Sequence, residues 1–261
     1  MMHPLTARRA LDAWERGQRS DPQGRALALL SAVLPTMSRE QLARLPVGQR
    51  DALLMRLRER TYGTQIKGFA LCPKCGVRLE FGLDLKSYDV ASSLEHKISP
   101  EVLAVDGYEI RFRVPDSIDL AYIAQFPDVD TARLVLLGRC LLAARKDGHP
   151  VAAHELPEPV IEKLGERMEQ LDPLSYLSLS IECARCNHQW LSLMDIGSLL
   201  WQEVARSAER LLGDVHTLAI SYGWSESEIL AMSEARRRFY LEQIPQAPPT
   251  PGAPGKERRR P

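Results

Sequence analysis

Two short cysteine pairs constrain this chain more than anything else in it: Cys72-Pro73-Lys74-Cys75 and Cys183-Ala184-Arg185-Cys186. A C-x-x-C pair can wrap one side of a metal ion, but neither pair alone fills a tetrahedral shell. Four thiolates together do fill it, and they are the donor set of a closed structural Zn²⁺ site. More than a hundred residues separate the pairs. One ion held by both therefore closes a very long loop and dictates how the intervening chain folds back.

The flanks of the two pairs match. Ile66, Phe69 and Leu71 lead into the first, and Val77, Leu79, Phe81, Leu83 and Leu85 alternate with mostly polar residues after it. Tyr176, Leu177, Leu179 and Ile181 lead into the second, and Trp190, Leu191, Leu193 and Ile196 follow. Period-two alternation marks a half-buried strand. Strand, knuckle and strand, occurring twice, reads as a zinc ribbon assembled from two distant hairpins. His188, two residues after Cys186, could replace a cysteine as a ligand, but a residue there is more often a donor behind the sulfurs or simply strand surface. Cys140 has no cysteine near it in sequence and is expected as a small core residue.

The rest of the chain is mainly helical in pattern. Leu5, Ala10, Leu11 and Trp14 share a face of a first helix that Gly17 ends; Asp21-Pro22 opens a second; Ser38 and Gln41 have capping-box spacing. A helix over VGQRDALLMRLRERTY follows, with Pro46 in its first turn and Gly63 as its cap. Its arginines Arg56, Arg58 and Arg60 are read as a solvated face. Between the knuckles, EVLAVDGYEIRFRVP predicts a hairpin turning at Asp106-Gly107. A helix then opens at Pro115-Asp116. ARLVLLGRCLLAAR is expected as one buried helix capped by Asp130 or Thr131, KDGHPVAAHELPE as loop, and PVIEKLGERMEQL as a helix ended by Asp172-Pro173. Two helices close the chain: a long one to Gly223, then one capped by Ser225 and Glu228. The segment 245–261, PQAPPTPGAPGKERRRP, is expected to be a disordered Pro/Arg tail.

The fold expected is thus α+β and mainly helical: a discontinuous four-cysteine zinc ribbon with a β-hairpin/helix insertion, flanked by N- and C-terminal helices. Its parts are N-terminal helices (1–64), a split ribbon (65–86 plus 176–197), an insertion (87–175), a C-terminal helical pair (198–244) and the tail. Lysine plus arginine equals aspartate plus glutamate, so a chain built to coat nucleic acid is not expected. Only Lys74, Arg78 and Arg185 lie close to the cysteines, among Glu80, Asp84 and Glu182. No apolar run reaches membrane-spanning length, and the N-terminus has no apolar signal core. The protein is expected in the reducing cytoplasm, where paired C-x-x-C favours metal over disulfide. The six histidines do not cluster, no hydrolase or phosphate-loop motif is present, and four thiolates leave no open metal position. Neither an enzyme nor a small-molecule substrate is therefore expected.

Two segments carry a resemblance. One is the doubled knuckle, LCPKCGVRLEFGLDL and IECARCNHQWLSLMDI. The other is LLGDVHTLAISYGWSESEILAMSEARRRFYLEQI, with its V-H-x-L-A-x-x-Y-G-W-S-E pattern. They resemble the T4-type contractile phage baseplate hub and hub assembly chaperone family, in the form found in extracellular contractile injection systems. That resemblance implies a non-enzymatic assembly factor or minor baseplate component, cytoplasmic or incorporated into the assembled particle. Its partners would be baseplate, hub or tube proteins. The candidate docking corner is Tyr222, Trp224, Arg236, Arg237 and Arg238. The alternative that the residues leave open is a zinc-ribbon nucleic-acid binder, with a metalloenzyme behind it.

Overall fold

The structure is a computed structural model and describes residues 2–95 and 100–244; the tail expected at 245–261 lies outside the described residues. The chain divides into two compact units, Met1–Ala208 and Glu209–Pro261.

The larger unit begins with four helices, α1 (Ala7–Gly17), α2 (Pro22–Val33), α3 (Arg39–Ala43) and α4 (Val47–Tyr62). Each start has a local cause. Thr6 and Asp21 accept from backbone N–H groups of the first turns of α1 and α2, and Ser38 and Gln41 form the expected capping box. Pro46 sits one step before its expected place, as the N-cap of α4, and Gly63 (φ 85°) ends that helix. Two hairpins follow at distant points of the sequence: β1 (Gln65–Leu71) with β2 (Arg78–Asp84), and later β7 (Ser178–Glu182) with β8 (Gln189–Leu193). The short α5 (Val90–Glu95) comes after β2.

Between the hairpins lies a four-stranded antiparallel meander in the order β3-β4-β5-β6: Glu101–Val105, Tyr108–Phe112, Leu141–Lys146 and His149–Pro150. Helices α6 (Ser117–Ile123) and α7 (Val129–Cys140) connect β4 to β5. Both tight turns are Asp-Gly with positive φ at both residues, Asp106-Gly107 and Asp147-Gly148, the geometry that matches strand twist. Helix α8 (Glu158–Leu171) then covers one face of this sheet through Val160, Ile161 and Leu164.

Three expectations change here. The single buried helix over ARLVLLGRCLLAAR is a helix and a strand: α7 starts from Asp128, not Asp130 or Thr131, and the chain is extended from Leu141. A continuous apolar run has no period to separate the two states; the Asp147-Gly148 turn, read as loop, lets residues 141–146 pair with β4. Nor is the helix wholly buried, since Val129 is 78% exposed and only Leu137 and Cys140 are buried. The arginines of α4 also divide. Arg58 is buried and donates to both oxygens of Glu203 at 3.0 and 3.2 Å, because this helix is enclosed on more than one side.

The last strands, β7 (Ser178–Glu182) and β8 (Gln189–Leu193), lead into α9 (Ile196–Tyr222). Ile196, Leu200, Trp201 and Val204 of α9 join Leu29, Leu30, Leu54 and Leu57 of the N-terminal helices in the main core, with Ile66, Leu85 and Leu177 from the bases of both hairpins. Polar contacts tie the N-terminal helices to the insertion: Arg44 pairs with Asp116 at 3.3 Å, and Val47 N–H donates to Pro115 C=O at 3.1 Å. Within the insertion, Asp119 accepts from Arg113 at 2.6 and 2.9 Å and from Arg139 at 2.8 Å. Burial works against its charge, and Arg113, the Asp116 N–H and Arg139 outweigh it, so Asp119 sits below the usual carboxylate range.

In the smaller unit the second half of α9 packs on α10 (Glu226–Ala231) and α11 (Glu234–Glu242) around Val215, Leu218 and Ile229. The last expected helix is thus two, since Met232 turns extended and Ser233 caps α11.

Asp119→Ala should cost about 3–5 kcal/mol in urea unfolding, because it strands two arginines. Asp51 makes the opposite kind of test. Burial, against the pull of Arg50 and with Asp195 and Asp172 adding to it, raises Asp51 to about 6. The native state then binds a proton more tightly than the unfolded chain, so stability is lost as pH rises from the ordinary Asp range through 6. Asp51→Asn should therefore gain on wild type by roughly 1–1.5 kcal/mol between pH 5 and pH 8. An equal difference at both pH values would refute the raised carboxyl.

Candidate metal centre

Each knuckle is built by the same local geometry. In the first, Cys72 N–H donates to Val77 C=O at 2.9 Å and Gly76 N–H to Cys72 C=O at 2.9 Å. In the second, Cys183 N–H donates to His188 C=O at 2.9 Å and Asn187 N–H to Cys183 C=O at 2.8 Å. The residue after each second cysteine, Gly76 (φ 69°) and Asn187 (φ 53°), takes the left-handed conformation. Glycine and asparagine are the residues that adopt it at least cost. This repeated left-handed position was visible in the sequence as C-x-x-C-G and C-x-x-C-N.

The tertiary structure brings the two knuckles face to face. Cys72 Sγ lies 3.6 Å from Cys186 Sγ, and Cys75 Sγ lies 3.6 Å from Cys183 Sγ. All four sulfurs fall within 4.8 Å of one another. The short pairs run across the hairpins, and all four thiols are free. A disulfide needs about 2.05 Å. By contrast, a tetrahedron with metal–sulfur bonds of about 2.3 Å has edges of about 3.8 Å, close to the cross-hairpin spacing. Cys72 and Cys183 are buried, and Cys75 and Cys186 partly so.

The electrostatics point the same way. Burial favours the neutral form of Cys72, but the N–H groups of Cys75 and Lys74 and the Cys186 thiol outweigh it and bring Cys72 down to about 7. At Cys186 the His188 N–H favours the thiolate, yet burial and the three neighbouring thiols push it up to about 12. Four thiolates cannot crowd into this space without a cation to offset them. With one, every ligand is deprotonated and binding releases protons.

The other sequence candidates are placed as follows. His188 is not one of the four clustered donors; its ring stacks on Trp190 at 5.9 Å. Cys140 is fully buried in the meander, and burial pushes its thiol up to about 12. Arg78 lies over the Phe69 ring at 4.2 Å. Tyr222 and Trp224 stack at 4.5 Å and 13°, and Arg236 and Arg238 are exposed. Arg237 is buried and donates to Met232 C=O at 2.6 Å, holding the turn between α10 and α11. The sequence reading missed the exposed apolar side chains on the hairpins' outer faces, Phe69, Leu71, Leu191 and Leu193. Among the described residues, no helix is long and apolar enough to cross a membrane.

The profile of the T4 bacteriophage base plate protein family matches residues 14–148, more than half of the chain. The chain belongs to that family. The match covers the N-terminal helices, the first knuckle and the first three strands of the meander. It therefore contains one half of the doubled knuckle that carries the resemblance. The second knuckle and the segment with Tyr222 and Trp224 lie outside it. No curated protein and no solved structure matches the chain.

Cys72→Ser or Cys183→Ser should remove bound metal and lower the melting temperature, whereas Cys140→Ser should leave metal content unchanged. Native mass spectrometry of the purified variants, with a thermal melt of each, reads both outcomes; full metal retention by either knuckle variant would break the shared site.

Proposed function

We propose that the protein is a non-enzymatic hub assembly factor or minor baseplate component of a contractile, phage-tail-like injection particle, and that it acts through protein–protein contacts. Membership of the base plate family supports the setting. The observation that carries the non-catalytic role is the four-sulfur cluster. Thiolate donors in tetrahedral array suit Zn²⁺, and four of them leave no position for water or substrate. Cys72, Cys75, Cys183 and Cys186 would hold the ion, whose contribution is to lock the two hairpins together. Sites of this type typically contribute on the order of 10 kcal/mol or more to folding.

Partner contacts fall on surfaces that this frame leaves accessible. In the smaller unit, Tyr222, Trp224, Arg236 and Arg238 combine aromatic area with charge, a composition common in binding hot spots. The second reading, a nucleic-acid-binding ribbon, draws on Lys74, Arg78 and Arg185 around the knuckles. It would give affinity that falls steeply with salt.

Co-expression with the tube, sheath and hub proteins of the same gene cluster, followed by affinity capture, separates the two. Retention of one of those proteins, reduced at least tenfold by Trp224→Ala with Arg236→Glu, is the expected result. Salt-sensitive binding of DNA or RNA without capture of any particle protein would replace this reading with the second.

A further inference from the structure

The four sulfurs that can hold a metal also stand as two facing pairs. Cys72 Sγ is 3.6 Å from Cys186 Sγ, and Cys75 Sγ is 3.6 Å from Cys183 Sγ, so each pair joins one hairpin to the other. Within each pair one cysteine is buried and the other is partly exposed: Cys72 with Cys186, and Cys183 with Cys75. An accessible thiol on one hairpin thus has a sheltered thiol of the opposite hairpin as its neighbour. Two features besides the sulfurs keep the pairs facing. Backbone bonds shape each tip, from Cys72 N–H to Val77 C=O and from Cys183 N–H to His188 C=O, both at 2.9 Å. The hairpin bases are packed into one core through Ile66, Leu85, Leu177 and Ile196.

We propose that a peroxide closes this cluster into two disulfides that cross between the hairpins, Cys72–Cys186 and Cys75–Cys183, and not into the short loops Cys72–Cys75 and Cys183–Cys186. The accessible thiol of each pair, Cys186 or Cys75, attacks hydrogen peroxide. A sulfur–oxygen bond forms, the oxygen–oxygen bond breaks, and a sulfenic acid and one water result. The sheltered thiol then attacks the sulfenic sulfur. A sulfur–sulfur bond forms, the sulfur–oxygen bond breaks, and the hydroxyl leaves with the thiol proton as a second water. Each pair gives up two electrons and reduces one peroxide. Its sulfurs close from 3.6 Å to about 2.05 Å.

The choice of partner decides what the oxidation does. A bond within a knuckle closes only the C-x-x-C loop and leaves the hairpins unconnected. The crossed bonds join residues 114 and 108 positions apart, and a longer closed loop restricts the unfolded chain more. They do covalently what a metal held by the same thiols does by coordination. In a reducing compartment the thiols stay available to a metal; in an oxidising one the same sulfurs hold the hairpins without it. Cys140 is fully buried and lies outside the cluster.

The test treats the full chain as purified with hydrogen peroxide, in a chelator that takes up any released metal. The protein is then unfolded, its remaining thiols are alkylated, and it is digested with trypsin without reduction. Cleavage after Lys74 and Arg185 puts the four cysteines on separate peptides: 68–74, 75–78, 168–185 and 186–206. Mass spectrometry should find 68–74 joined to 186–206 and 75–78 joined to 168–185, with Cys140 alkylated. In chelator, the oxidised chain should melt at a higher temperature than the reduced chain. Peptides joined within the knuckles overturn the proposal, as does 68–74 joined to 168–185. So do crossed links confined to covalent dimers on a non-reducing gel, or crossed links with no rise in melting temperature. A chain that carries no metal in native mass spectrometry would refute the metal centre and leave the peptide map to decide the disulfides.

Discussion

The contact between Cys72 and Cys186, with its twin between Cys75 and Cys183, is the constraint on which the larger unit depends. Two hairpins of two strands each are marginal by themselves in water. Here each is anchored at its base by core residues, Ile66 and Leu85 for one, Leu177 and Ile196 for the other. At their tips, what meets is sulfur, at the spacing a tetrahedral metal requires. The crossed arrangement means that each hairpin supplies two sulfurs and the four-sulfur cluster needs both.

That closure makes the meander between the hairpins an excursion from a fixed base. It has its own core around Ile110, Phe112 and Leu164. Its polar attachments to the N-terminal helices are Asp172 accepting from Gly48 N–H at 2.7 Å, Arg44 paired with Asp116 at 3.3 Å, and Val47 N–H donating to Pro115 C=O at 3.1 Å. Gly48 is required at that seam, because a side chain there would run into the Asp172 carboxylate.

The cysteine pairs, the hairpin turns and most helix caps were legible because each is a local rule. Asp106-Gly107 demands positive φ, Ser38 with Gln41 closes a box, and a C-x-x-C followed by Gly or Asn folds as a knuckle. The family relationship was legible as a likeness placed on the knuckles and the C-terminal helices, whereas the shared profile covers residues 14–148. Outside the first knuckle, the helix patterns of that span are ordinary in composition, and no single motif stands out from them.

From the sequence alone followed the donor set, the strands around it and the periods of the helices, since backbone preference and side-chain alternation act over a few residues. Only the tertiary structure decided the rest. Residues 141–146 are strand because β4 and an Asp-Gly turn offer them a partner, and an apolar run takes whichever state its neighbours complete. Arg58 and Arg237 are buried because Glu203 and the Met232 carbonyl meet them, whereas Arg60 and Arg238 on the same helices stay in water. The four sulfurs form one centre because the folded helices bring the two hairpins together, and no spacing along the chain could state that distance.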